Sequence, residues 1–134
     1  MPVTCRFGRI FARCGAPGVG FCQYCARPFC LAHGQLNSED AQVCARPVCQ
    51  AKHTDLAAHF VFRERAHLRN RHGMCGIDGC LGERWGQCSK CEGLFCEEHL
   101  SDRADSVRHG RARYSRPASF CAHCLRRRKL WAKI

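Results

Sequence analysis

The chain has 134 residues, including 14 cysteines, 18 arginines and 4 lysines, and a formal net charge of +11. No segment approaches the ~20 apolar residues of a membrane-spanning helix, and Arg6, Arg9 and Arg13 interrupt the only candidate for a signal peptide. We therefore expect a cytoplasmic protein in a reducing compartment, where so many cysteines indicate metal ligands rather than a disulfide framework.

The cysteines belong to one pattern that occurs twice. The pattern C-x5-G-x-C-x2-C-x3-F-C-x2-H begins at Cys14 and again at Cys80, 66 positions later. One further cysteine precedes each copy and two follow it, so each copy has eight potential ligands and no cysteine is left over. Because a structural zinc site takes four Cys or His ligands, sixteen ligands predict four Zn²⁺ ions per chain.

Ligand spacing predicts how the donors are shared. Ligands three apart fit a tight turn that directs both donors at one ion. The four residues between Cys25 and Cys30 are too few for a separate subdomain but enough to reach a second ion. This favours a cross-braced arrangement, in which the first and third pairs share one zinc and the second and fourth share another; sequential grouping stays open. The predicted sites are Cys5, Cys14, Cys30 and His33; Cys22, Cys25, Cys44 and Cys49; Cys75, Cys80, Cys96 and His99; and Cys88, Cys91, Cys121 and Cys124.

Each half of the chain is too short to form a large hydrophobic core, which explains why metal is needed for folding. Units of about 50–60 residues bury too little apolar surface to fold comfortably alone, so zinc binding and folding should be one equilibrium. We expect the repeated Phe29 and Phe95 to pack beneath the zinc turns. Gly20 and Gly86 should permit a left-handed or closely packed backbone before the second ligand pair.

In chain order, we expect a first zinc unit over residues 1–53, a connecting helix over 54–73, a second zinc unit over 74–125 and a basic C-terminal helix over 126–134. The predicted fold is a small zinc-stabilised α+β fold. It comprises two cross-braced, treble-clef-like fingers with two zinc ions each, joined by the helix.

Two details concern the segments between the ligands. Residues 37–40 form a plausible cap for a short helical turn that leads to Cys44. The connecting helix is placed at 55–72, ending at Gly73, with Phe62 fitting neither of its faces. Its predicted packing stripe comprises Leu56, Ala57, Phe60, Val61 and Leu68, and Arg65, Arg69 and His72 lie on another face.

The core C-x2-C-x4-C-x2-H at 22–33 and 88–99 resembles the AN1-type zinc finger, and more broadly the cross-braced group of RING, FYVE, PHD and B-box domains. AN1 fingers open on C-x2-C and close with a His and a Cys, whereas the opening pairs here have eight and four intervening residues and the closing pairs are all cysteine.

The resemblance implies a zinc-dependent scaffold that binds proteins. Its sharper form is a RING-like ubiquitin or ubiquitin-like ligase, which positions a conjugating enzyme without doing bond chemistry itself. By analogy with RING domains, the candidate contact residues are Ile77, Leu81, Trp85 and Arg126 in the second unit, and Ile10, Phe11 and Pro47 in the first. We expect no catalytic residue, since every cysteine is a potential ligand and each octet closes two complete four-ligand sites.

The arginines support a second hypothesis, that the chain binds nucleic acid or the ribosome. Arginine suits phosphate recognition because its planar fork binds bidentately, although a GC-rich genome also raises arginine content. Between His99 and Cys121 lie 21 residues, against 10 in the first copy, and we expect this arginine-rich extension to form a long irregular loop. The candidate contacts are Arg108, Arg111, Arg113, Arg127 and Arg128. A third hypothesis is a purely structural subunit of a larger assembly.

Overall fold

The computed structural model describes residues 3–8, 12–36 and 41–133. The chain forms two compact units, one comprising Met1–Ala57 and Leu130–Ile134 and the other Ala58–Lys129. The fold is small and α+β, and the boundaries predicted for the two zinc units stay predictions. The predicted cap at 37–40 and the candidate contacts Ile10 and Phe11 lie outside the described residues. Among those described, neither helix has the length and apolar character needed to cross a bilayer.

The sequence repeat is also a structural repeat. Each unit contains a short hairpin, a 3₁₀ turn, a second hairpin and the start of a helix. In the first unit these are β1 (Gly20–Phe21), β2 (Pro28–Phe29), the turn Leu31–His33, β3 (Gly34–Leu36), β4 (Gln42–Cys44) and α1 (Pro47–Arg71). In the second they are β5 (Gly86–Gln87), β6 (Leu94–Phe95), the turn Glu97–His99, β7 (Leu100–His109), β8 (Ala112–Cys121) and α2 (Ala122–Ala132). All four strand pairs are antiparallel.

The arginine-rich segment at 100–120 is a regular hairpin rather than the irregular loop expected from its length. Strands β7 and β8 pair in unbroken register from Leu100 opposite Cys121 to His109 opposite Ala112. Gly110 opens the two-residue turn with φ +62°, a conformation that glycine adopts without steric cost. A glycine at this position is a feature of the sequence that could have indicated the turn.

Each unit has its own small core. Phe29 and Phe95 are fully buried, as the repeat predicts, and Phe120 joins the second core. Cysteines make up ten of the fifteen buried hydrophobic residues among those described. Because so few large apolar side chains are buried, hydrophobic burial contributes little to stability in either unit, and the cysteine contacts must contribute much of the rest.

Gly20 and Gly86 were predicted to permit either a left-handed or a closely packed backbone, and neither has a positive φ. The alternative that the sequence left open, a close approach, is what the structure shows. A Cβ on Gly20 would lie 2.6 Å from Gln42 Oε1, and one on Gly86 would lie 2.9 Å from Leu100 Cδ1. Both glycines therefore leave room for a side chain of the following hairpin.

Helix α1 differs from its prediction in start and in buried face. It begins at Pro47 rather than 55, since proline fits the first turn of a helix. Phe62, expected on neither face, stacks on Phe95 with ring centroids 6.1 Å apart. The predicted packing residues Phe60, Val61 and Leu68 are exposed instead, while Ala66 and Asn70 are buried. Helix α2 begins directly after Cys121 rather than at 126, and Ile134 lies outside the described residues.

Candidate metal centres

The cysteine and histidine donors form four groups of four that could hold metal ions, with all donor atoms in a group within 4.8 Å of one another. The structure brings together the same four sets that the spacing predicted, which we number groups I to IV in chain order. Ligand pairs of groups I and II alternate along the chain, and so do those of groups III and IV. Group I is Cys5, Cys14, Cys30 and His33; group II is Cys22, Cys25, Cys44 and Cys49; group III is Cys75, Cys80, Cys96 and His99; group IV is Cys88, Cys91, Cys121 and Cys124.

The sulfur separations fit a tetrahedral zinc site. With Zn–S bonds of about 2.3 Å, tetrahedral angles place two sulfurs about 3.8 Å apart. The Sγ atoms of Cys25 and Cys44 are 3.8 Å apart, and those of Cys91 and Cys121 are 3.9 Å apart. In group I the sulfurs of Cys14 and Cys30 are 3.9 Å apart, and in group III those of Cys80 and Cys96 are 3.8 Å apart. A disulfide would need about 2.05 Å, and all fourteen cysteines are free.

The histidines fit the same geometry through Nδ1. A zinc with one nitrogen and one sulfur ligand separates them by about 3.5–3.6 Å. His33 Nδ1 lies 3.6 Å from Cys5 Sγ and 3.4 Å from Cys30 Sγ, and His99 Nδ1 lies 3.5 Å from Cys75 Sγ. The contact of His99 with Cys96 is tighter, at 3.1 Å. The Phe7 ring stacks on His33 at 4.4 Å and orients that imidazole.

Matching strained turns present the central ligand pairs. Ala26 and Glu92 are the only non-glycine residues with positive φ among those described, at 60° and 63°. Each follows a Cys-x2-Cys pair and donates its amide hydrogen to the carbonyl of the first cysteine, at 2.8 Å in the first copy and 3.0 Å in the second. Left-handed backbone at a non-glycine residue costs about 1–3 kcal/mol and persists where the surrounding structure fixes it. The convergence of both cysteines of the pair on one donor group provides that constraint.

The closing ligands of groups II and IV lie where a hairpin passes into a helix. Cys44 ends β4 and Cys49 lies in the first turns of α1; Cys121 ends β8 and Cys124 lies in the first turn of α2. The Cys121 amide also donates to Cys88 Sγ at 3.4 Å. Hairpin and helix thus converge on the turn that holds the central pair.

The electrostatics of group IV call for a cation. Hydrogen bonds from the thiols of Cys121 and Cys124 lower the pKa of Cys88 far below its usual range. Hydrogen bonds to Cys121 and Cys88 raise the pKa of Cys124. Four buried sulfurs so close together therefore cannot all ionise by themselves, because like charges disfavour one another. A divalent cation removes this repulsion and displaces the shared protons.

One thiolate in the first unit forms readily even without a cation. Burial by itself would raise the pKa of Cys22, but hydrogen bonds involving the backbone at Cys44, Tyr24 and Cys25 outweigh it and lower the pKa to about 7. The Tyr24 amide contact is 3.4 Å long. Cys22 can therefore be deprotonated near neutral pH, as a metal ligand must be, whereas burial and hydrogen bonds with Cys44 and Cys22 raise the pKa of Cys49 in the same group.

Comparison of the chain with protein-family models, with curated proteins and with solved structures finds no match. The four groups are consistent with a zinc-finger-like domain.

Arg46 is a functional candidate that the sequence reasoning missed. Its Nη1 lies 3.5 Å from Cys44 Sγ and 3.9 Å from Cys25 Sγ, and its Nη2 donates to the Arg6 carbonyl at 2.6 Å. Burial lowers the pKa of Arg46, but the hydrogen bond to Cys44 and the nearby thiolates outweigh it and raise the pKa. The guanidinium therefore offsets part of the negative charge of an all-cysteine site. Its position two residues after a ligand was the only sequence signal.

Two polar residues of α1 hold the ligand loop of the second unit and were also missed. The Asn70 side-chain amide donates to the carbonyls of Met74 at 2.9 Å and Leu94 at 2.7 Å. Arg69 Nε donates to the Cys75 carbonyl at 2.8 Å, and Arg69 Nη2 to that of Cys80. The Arg69 bonds fix the loop between two ligands of group III, and the Asn70 bonds join the residue before that loop to strand β6. They also explain why the buried face of α1 is partly polar and is not predicted by the periodicity of apolar residues.

The predicted partner contacts differ in exposure. Leu81 is 93 % exposed and Trp85 is 67 % exposed, whereas Ile77 is half-buried and packs against the second core. Pro47 lies exposed at the start of α1. Arg126, Arg127 and Arg128 belong to α2, where the Arg128 guanidinium lies 5.1 Å from the Phe120 ring centroid. Arg108, Arg111 and Arg113 are exposed at the end of the β7–β8 hairpin.

Proposed function

We propose that the chain binds four Zn²⁺ ions, two in each of two cross-braced, treble-clef-like units, and that these units form a protein-interaction scaffold. The observation that carries the proposal is the donor geometry. One pair of sulfurs in each group lies 3.8–3.9 Å apart, a separation that suits tetrahedral zinc, and all donors of a group lie within 4.8 Å of one another. The alternation of the groups along the chain supports cross-bracing. Closing ligands at a hairpin end and a helix start support the treble-clef description.

The role proposed for the metal is structural. Bound zinc supplies cross-links between segments distant in sequence. Four protein donors in each group fill a tetrahedral site, whereas a catalytic zinc keeps one position for water or substrate. Function must then come from the surface that the zinc sites hold in shape.

The best candidate for a protein-docking surface is the pair Leu81 and Trp85. Both are large, apolar and exposed, and tryptophan is enriched among residues that dominate binding energy. The corresponding positions of the first copy, 66 residues earlier, are Gly15 and Val19. The repeated fold therefore forms without a large apolar side chain at the first position or an aromatic one at the second. A partner that covers Leu81 and Trp85 would account for the presence of these two side chains in the second unit.

We expect the double variant L81S/W85A to lose at least tenfold in affinity for the native partner, because truncation of a central aromatic contact commonly costs about 2 kcal/mol or more. Zinc content and thermal unfolding should stay unchanged, since both side chains are exposed. Phe60→Ala is the matched control, as Phe60 is also a large exposed apolar residue of the second unit. Affinity purification with the wild-type chain identifies the partner, and titration then compares the variants. Equal affinity of L81S/W85A and wild type would contradict this docking surface.

The narrower form of the proposal is a RING-like adaptor for a ubiquitin-conjugating enzyme or a ubiquitin-like protein. Its support is the exposed Leu81 and Trp85 beside the opening ligands of group III. The zinc-loaded chain should then accelerate ubiquitin transfer by at least one conjugating enzyme, and L81S/W85A should abolish the acceleration. Absence of any acceleration across a panel of such enzymes would remove the ligase form and leave the scaffold proposal to the affinity experiment.

A further inference from the structure

The β7–β8 hairpin extends well beyond what its unit needs for folding. At its base, Leu100 packs on the core and Phe120 and Cys121 are buried. Residues 102–117 form the outer part of the hairpin, which we call the outer ribbon. All of them are exposed except the half-buried Asp105 and Val107. The first unit delivers its equivalent ligand, Cys44, with strands of only three residues each. The outer ribbon therefore serves neither the core nor the metal donors.

The outer ribbon carries unbalanced positive charge. Arg108 and Arg113 lie directly opposite each other in the strand register, a placement of like charges that destabilises a hairpin. Arg111 adds a third guanidinium in the turn, and the described segment 106–116 contains no acidic residue. The two aspartates of the hairpin lie nearer its base and are engaged. Asp102 accepts a hydrogen bond from Ser119 at 2.7 Å, and Asp105 lies 3.8 Å from Arg116.

The register gives the two faces of the ribbon different chemistry. Residues directly opposite each other in an antiparallel pair share a face. One face carries Arg108 with Arg113 and, next toward the base, Ser106 with Ser115. Toward the base the same face continues with Ala104 and Pro117 and then Asp102 and Ser119, so its two arginines lie at the outer end, away from the carboxylate. The other face carries Val107 with Tyr114 and, nearer the base, the ion-paired Asp105 and Arg116. An anionic partner that accepts many hydrogen bonds along a narrow strip matches the arginine face.

We propose that this ribbon binds duplex DNA, with its arginine face directed at the phosphates and base edges of the major groove. Two strands about 4.8 Å apart fit a groove about 12 Å wide, which admits a two-stranded β-ribbon. Arginine forks bind both phosphate and guanine bidentately. The A-form groove of duplex RNA is too deep and narrow for side chains to read, so DNA is the favoured duplex. This DNA-binding activity adds to the protein scaffold and does not depend on it.

Fluorescence anisotropy of the zinc-loaded full chain on a labelled duplex of about 20 base pairs tests the proposal. The variant R108Q/R111Q/R113Q should bind at least tenfold more weakly at about 100 mM salt, with a log-affinity against log-salt slope shallower by about 2–3. The matched control R13Q/R27Q/R71Q removes the same charge from exposed positions elsewhere, and should lose less than about threefold. Zinc content and thermal unfolding verify that both variants fold.

Three results would overturn the proposal. The first is an equal loss in both variants, which would mean that only net charge matters. The second is equal or tighter binding of the wild-type chain to duplex RNA or to single strands, which would exclude the groove geometry. The third is competition by polyglutamate as effective as that by duplex DNA, which would assign the arginines to an acidic protein surface. If the triple variant fails to fold, the single variant Arg111→Gln in the exposed turn replaces it, with Arg71→Gln as its control and a weaker but selective loss expected.

Discussion

Cys91→Ser is expected to unfold the second unit. Cys91 is 3 % exposed, and its sulfur lies 3.9 Å from that of Cys121 in group IV. The substitution leaves three sulfur donors and a hydroxyl, a poor zinc ligand. Structural zinc contributes about 10–16 kcal/mol in small zinc modules, which is comparable to the whole stability of a typical domain, about 5–15 kcal/mol. Losing much of that contribution exceeds what the small core can supply.

Zinc content and amide hydrogen exchange in the second unit measure this effect. Lys90→Ser is the matched control, because it introduces the same side chain one residue earlier at an exposed position of the same turn. The control should retain wild-type zinc and wild-type protection. If Cys91→Ser also retained both, group IV would not be a metal site.

Phe29→Ala is expected to cost about 3–5 kcal/mol, the usual range for truncating a buried phenylalanine. Phe29 is fully buried, and the backbone at Gly34 packs so closely on its ring that a Cβ there would lie 2.2 Å from Cδ2. Truncation of Phe29 would leave a cavity beneath the ligand turn, and the closely packed backbone around it has little freedom to collapse into that space. Chemical denaturation at a fixed, saturating zinc concentration measures the change in the free energy of unfolding.

Phe21→Ala provides the comparison for this experiment. Phe21 lies on the same hairpin, pairs with Pro28 and is 54 % exposed, so its truncation should cost less than about 1 kcal/mol. Similar costs at both positions would mean that the core around Phe29 does not stabilise the first unit.

The donor groups were the most predictable part of this molecule. Cys25 and Cys30 are too close in sequence to belong to separate subdomains, so covalent spacing alone restricted which sulfurs could meet. The 66-residue repeat then applied the same restriction twice, and the burial of Phe29 and Phe95 followed from it. The histidine nitrogen that faces the sulfurs, Nδ1 in both copies, depends on local backbone geometry and had no signal in the sequence.

The buried face of α1 was not predictable from apolar periodicity, because polar contacts determine it. Asn70 bonds to Met74 and Leu94, and Arg69 bonds to Cys75 and Cys80. With this polar face turned inward, Phe62 and Ala66 pack on the second core, and Phe60 and Leu68 are exposed. Arg46 is likewise selected by sulfurs that surround it only in the folded state. The β7–β8 hairpin was missed for a different reason, since most of its residues are charged or small and its strands show no polar–apolar alternation.

Zinc stoichiometry tests the central claim most directly. Elemental analysis of the purified chain, with protein concentration from amino-acid analysis, should give about four zinc ions per chain, one for each donor group. Removal of the metal by a chelator should abolish the folded state, and readdition of zinc should restore it. A value near two, or a chain that stays folded after all metal has been removed, would contradict the account of four structural zinc sites.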